Sequence, residues 1–184
     1  MFVKRQMWLR ACGGVVVPML FCLLTQTAAR AASPHEHGVA RLAVAVDAGR
    51  VSIELDTPLD NLLGFERAPR SDAERDKVNA MVARLRAGEA LFRIDAAAGC
   101  KLSKVDLVSP PLGLGKEAAA AGEHGDLNGS YEFLCVHGAS AGFLEVGLFD
   151  AFPALKRIDL QVATPRGQIK AVLRKPASRV ALVR

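Results

Sequence analysis

The chain has 184 residues and a formal charge of +5, from 24 Lys and Arg against 19 Asp and Glu. With 51% apolar residues it can bury a core of ordinary size, and 23% charged residues with 16 Gly and 9 Pro exclude a disordered or collagen-like chain. Aromatic residues make up only 5%, with one Trp and one Tyr, which leaves little to stack nucleic-acid bases.

Residues 1–31 read as a secretory signal peptide. Lys4, Arg5 and Arg10 form a positive start, and the chain from Ala11 to Leu24 is uncharged and rich in Val, Leu, Met and Phe. Ala28-Ala29-Arg30-Ala31-Ala32 then offers small residues at cleavage spacing, so cleavage is expected after Ala31. The apolar stretch is shorter than the roughly 20 residues that span a bilayer, and Gly13, Gly14 and Pro18 interrupt it. No membrane span is expected once it is removed. Phe21, before Cys22, is too large for the position ahead of a lipidated cysteine. The segment holds four bases and no acid, so the rest of the chain sets 20 bases against 19 acids. That near-neutral balance, with no run of five Lys or Arg, argues against a nucleic-acid partner.

Residues 32–184 are expected to form one domain. Val39 to Val46 alternates loosely at period two, and Val51 to Asp56 alternates cleanly with Val51, Ile53 and Leu55 on one face. With the turn Asp47-Ala48-Gly49-Arg50 between them, they predict an antiparallel hairpin buried on one side. Pro58 ends the second strand, and Leu59 to Leu63 predicts one helical turn closed by Gly64. Ser71-Asp72-Ala73-Glu74 has capping-box spacing, and Val78, Met81, Val82 and Leu85 follow at helical intervals up to Gly88. Asp72, Glu74 and Asp76 at its start and Arg84 and Arg86 at its end suit the macrodipole. An amphipathic helix of about four turns is expected, with one stripe on a sheet.

Short strands are expected at Leu91–Ile94, Lys101–Val108, Tyr131–Val136 and Phe143–Leu148. A turn or short helix follows at 149–155. Arg157–Val162 and Gln168–Leu173, joined by Thr164-Pro165-Arg166-Gly167, predict a second hairpin. The fold class is α+β, mostly antiparallel hairpins with one main helix packed on the sheet. Residues 109–129 read as one long irregular loop, a length that is usually functional or disordered. Glu36-His37-Gly38 and Glu123-His124-Gly125 each precede a pair of strands, a weak internal echo.

Cleavage would leave two cysteines, Cys100 and Cys135. A lone pair in an exported protein points to a disulfide, with a two-thiolate metal site as the alternative. Four histidines remain. His35 and His37 stand at i, i+2, a spacing that on an extended chain puts both on one side, within reach of one ion. Neutral imidazole suits Zn²⁺, Cu²⁺ and Ni²⁺. The competing reading is a frayed terminus whose histidines do nothing. His124 stands near Glu123 and Asp126, His137 follows the Cys135 strand, and Glu66 is an acid in an apolar neighbourhood. No G-x-S-x-G, H-E-x-x-H, P-loop or dinucleotide fingerprint occurs, and no nucleophile, base and orienter set is apparent, so no enzyme is expected.

Several segments together resemble the ZrgA-type periplasmic zinc-uptake proteins. They are His35-Glu36-His37-Gly38 before the first strand, Leu63-Gly64-Phe65-Glu66 with Ala68-Pro69, and Ala98-Gly99-Cys100. His124-Gly125-Asp126-Leu127 ahead of Tyr131-Glu132-Phe133-Leu134-Cys135 also matches, as do Leu148-Phe149 with Phe152-Pro153, and Thr164-Pro165-Arg166-Gly167-Gln168. The resemblance covers the whole mature chain, in order. It implies an exported zinc-binding accessory protein in the periplasm, with zinc ion and components of a zinc importer as partners. Carried over by position, the metal ligands are His35, His37 and His124, with Glu36, Glu123 or Asp126 as oxygen ligands. Two departures reduce the ligand supply. Arg67 stands where relatives often have His after Gly-Phe-Glu, and Lys116 to Gly122 replaces a His-rich insert. A site of low nuclearity is therefore expected. The alternative is a metal-free envelope interaction module.

Overall fold

The computed structural model describes residues 36–115 and 125–182. The expected signal peptide and His35, Glu123 and His124 lie outside these residues. In chain order the elements are β1 (Val39–Val46), β2 (Arg50–Pro58), α1 (Asp60–Leu63), α2 (Asp72–Arg86), α3 (Gly88–Leu91) and β3 (Phe92–Ile94). There follow β4 (Cys100–Val108), β5 (Asp126–Cys135), β6 (Phe143–Val146), α4 (Leu148–Ala151), β7 (Arg157–Thr164), β8 (Gly167–Arg174) and β9 (Arg179–Ala181). No helix among the described residues is long and apolar enough to cross a membrane.

Period-two alternation builds the larger sheet, in the order β4-β5-β2-β1-β7-β8. The registers align one apolar row across all six strands, Val105, Tyr131, Ile53, Val44, Val162 and Ile169. A slip of one residue anywhere in this row would turn its side chains to solvent, so burial fixes the register. The β1–β2 and β7–β8 hairpins form as the alternation predicts. They meet through a pairing that the hairpin reading did not foresee, since β1 runs parallel to β7, with Val44 opposite Val162. Both flanks of β1 are thereby paired. The main-chain amides of Lys156 and Arg157 donate to the Gly38 carbonyl at 2.8 and 3.0 Å, which seats the start of β7 beside β1.

A second sheet, β3-β6-β9, is small. Its strands have three or four residues, too few for alternation to be read. Leu91, expected in a strand, ends α3 instead. Leu148, expected to end a strand, opens α4.

Ser71 caps α2, its hydroxyl accepting from the Glu74 amide at 3.2 Å. Val78, Met81 and Leu85 are buried in the core shared with the sheet, while Val82 is only half-buried. The helix ends at Arg86, with Ala87 as its cap. Gly88, expected at the exit, opens α3 and meets the core: a Cβ there would lie 2.8 Å from the Tyr131 ring. Tyr131 itself is buried edge-on against Phe92, with ring centroids 4.8 Å apart. Burial pushes its phenol pKa upward.

Cys100 and Cys135 stand directly opposite each other on β4 and β5, with Cα atoms 3.9 Å apart, and are joined as a disulfide. This is the expected pairing, and it leaves no thiolate for a metal among the described residues. Two described parts of the stretch expected to be irregular, 109–129, are regular. Pro110–Leu112 forms a 3-10 turn, and β5 already begins at Asp126. Gly129 is thus inside a strand, paired with Leu55 and Leu107.

Candidate metal centre

The centre forms where β1, β2 and β5 come to one end of the sheet. Pro58 stops β2, and Asp60–Leu63 makes a single helical turn, α1. Gly64, at φ +81°, closes that turn in the left-handed region that other residues avoid. The chain then reverses and presents Phe65 and Glu66.

Asn61 ties this turn to the first strand. It is 2% exposed, yet its amide is well bonded: its oxygen accepts from the Gly38 amide at 2.5 Å, and its nitrogen donates to the Val39 carbonyl at 2.9 Å and the Thr57 hydroxyl at 3.0 Å. A buried amide with all these partners is a rigid staple. Its effect is to hold residue 37 over α1.

His37 lies between two carboxylates. Its Nδ1 is 3.5 Å from Asp60 Oδ2, and its Nε2 is 3.1 Å from Glu66 Oε1. The imidazole is 65% exposed, whereas Glu66 is 27% exposed. A neutral ring with its proton on Nδ1, toward Asp60, aims the Nε2 lone pair at Glu66. Two acceptors 3.1 Å apart repel each other unless a proton or a metal ion stands between them. Tetrahedral zinc with bonds of about 2.0–2.2 Å sets its ligand atoms roughly 3.3 Å apart, close to this separation. A carboxylate on the second ring nitrogen is the usual partner of a metal-bound imidazole.

Glu66 is also fixed from behind. Gly125 is packed so closely that a Cβ would lie 2.2 Å from the Glu66 carbonyl oxygen, and its own carbonyl accepts from the Leu59 amide at 2.7 Å. On the other side, Arg67 is clipped to α2. Its guanidinium donates to both Glu74 oxygens at 2.8 Å and lies 5.0 Å from the Phe65 ring centre. Glu74 also accepts from the Arg70 amide at 2.6 Å. The hydrogen bonds from Arg67, and then the one from Arg70, lower the Glu74 pKa from 4.5 to about 2.

A carboxylate depressed in the folded state stabilises fully above its unfolded pKa, and that stability disappears as pH falls through the folded value. Glu74→Gln is therefore expected to melt below wild type above about pH 4.5. The gap should close as pH approaches about 2. Thermal scans across that range, followed by circular dichroism, measure it.

The structure distributes the expected site residues unevenly. His37 is at the centre, and its neighbours here are Asp60 and Glu66. Glu36 instead binds Arg157 through both oxygens, at 3.2 and 2.6 Å. Asp126 begins β5 opposite Pro58, and its carbonyl accepts from the buried Ser109 hydroxyl at 2.7 Å. His35, Glu123 and His124 lie outside the described residues. His137 follows the opposite end of β5, about 30 Å of strand away, where its amide donates to the Ala98 carbonyl. Among the described residues no three His, Cys, Asp or Glu side chains surround one point. His37 gives one nitrogen to each acid, Nδ1 to Asp60 at 3.5 Å and Nε2 to Glu66 at 3.1 Å. Asp60 and Asn61 were missed in the sequence. Their signal was two polar residues inside an otherwise apolar turn, Leu59 to Leu63, closed by glycine.

No curated protein matches the chain. From residue 34 to residue 182 it matches the sequence model of the ZrgA family zinc uptake proteins. That match spans the described residues and most of the chain, and the chain belongs to the ZrgA family of zinc uptake proteins.

Proposed function

We propose that this protein is an exported, periplasmic zinc-binding accessory of zinc uptake, and not an enzyme. Zinc is its cargo. The observation that carries the reading is the His37–Glu66 edge, 3.1 Å across, with Asp60 on the far ring nitrogen. Membership of a zinc uptake family supports zinc as the ion. In this reading Nε2 of His37 and a Glu66 oxygen bind the ion, and Asp60 holds the imidazole in the required tautomer. His35 and His124 complete the coordination. The exposure of His37 suits a carrier, because an accepting protein's ligand can reach the ion without the fold opening.

The test is calorimetric zinc titration of tag-free protein. Wild type is expected to bind. His37→Ala should lose most of the affinity, and Asp60→Asn about 10–100-fold, the usual cost of an outer-shell partner. His35→Ala and His124→Ala should each weaken binding if those residues share the ion. Wild type without binding at high micromolar zinc overturns the reading and leaves a metal-free interaction module in its place.

A further inference from the structure

Arg67 is a cation bonded in sequence directly to the proposed ligand Glu66. Unrestrained, its guanidinium would have two ways to oppose zinc: neutralising the Glu66 carboxylate, or facing the ion with like charge. The structure gives it a different partner. Both arms of the guanidinium are taken by Glu74 at 2.8 Å, and its position near the Phe65 ring fixes it further. Such fork-to-fork pairing is directional and satisfies both carboxylate oxygens. Glu74 is in turn anchored by the Arg70 amide and by its place in the first turn of α2, where the Ser71 cap holds its own amide.

From this geometry we infer that Glu74 is a positioning residue for the zinc site: it draws the Arg67 guanidinium away from Glu66 and leaves that carboxylate free for the ion. The inference rests on the zinc reading above, and a lone ion pair of this kind would otherwise only tether the 64–71 segment to the helix. The two roles make different predictions. Glu74→Gln and the double variant Arg67→Met/Glu74→Gln both abolish the ion pair, so a tether alone would leave the double variant no better than the single. A sequestered cation would not, because only the first variant retains a freed guanidinium.

The experiment is zinc titration of the full-length mature protein, by competition with a chromophoric chelator, for wild type and both variants. His37→Ala serves as the control, and thermal unfolding is followed in parallel. Glu74→Gln is expected to bind zinc about tenfold more weakly than wild type, and the double variant to recover most of that loss. Melting temperatures should fall together in the two. Unchanged affinity in Glu74→Gln, or a double variant as weak as the single, overturns the inference while wild type and His37→Ala still uphold the zinc reading. Wild type that takes no zinc overturns both.

Discussion

Removal of the disulfide, as Cys100→Ala/Cys135→Ala, is expected to lower the unfolding free energy by about 4 kcal/mol. The bridge closes a loop with a sequence separation of 35, and the chain-entropy relation gives that figure for a loop of this length. The two residues are already register partners on adjacent strands, so the folded state needs no rearrangement to lose the bond. The effect therefore falls mainly on the unfolded ensemble. Urea unfolding of wild type and the double variant, without reductant, measures the difference. A loss under about 1 kcal/mol would mean that the β4–β5 pairing persists in the unfolded chain. Alkylation of the unreduced chain from residue 32 onward should find no free thiol.

Leu85→Ala should cost about 2–5 kcal/mol, the range for emptying a fully buried leucine site. Leu85 is 0% exposed and shares its core with Ile53, Tyr131 and Phe133. Val82, one turn earlier and only half-buried, provides the internal comparison, and Val82→Ala should cost clearly less. Chemical denaturation with fluorescence or circular dichroism detection measures both. A Leu85→Ala loss below about half a kcal/mol would place that face of α2 in solvent.

Much of this architecture was legible because burial imposes a period. Val51, Ile53 and Leu55 announce a half-buried strand, and Ser71 with Glu74 announces a helix start. These features depend on neighbours within a few residues. What was not legible depends on partners far along the chain. Nothing in Val39–Val46 distinguishes a strand paired on one side from one paired on both, and the parallel contact with β7 comes from a segment more than a hundred residues away. Gly88 looks like a helix stop in sequence, whereas its use is to accommodate the Tyr131 ring. The site divides in the same way. His37 stood out because histidine is scarce here. Asp60 and Asn61 did not, because an acid and an amide in a turn are ordinary until Gly38 and Val39 are known to lie above them.

The parallel contact of β1 with β7 also sets an order of assembly. As the chain emerges from its N-terminus, β1, β2, β4 and β5 can pair, and Cys100 can meet Cys135, while β7 has yet to appear. Until it does, the strand that will be central has one row of unpaired amides and carbonyls open to any other strand. Closing it brings together distant parts of the chain, the kind of contact that slows folding. A chain cut short before Arg157 would keep its disulfide and most of its sheet, yet carry an adhesive edge at its middle. Arrival of β7, and not acquisition of the bridge, is thus the event that closes the middle of the sheet.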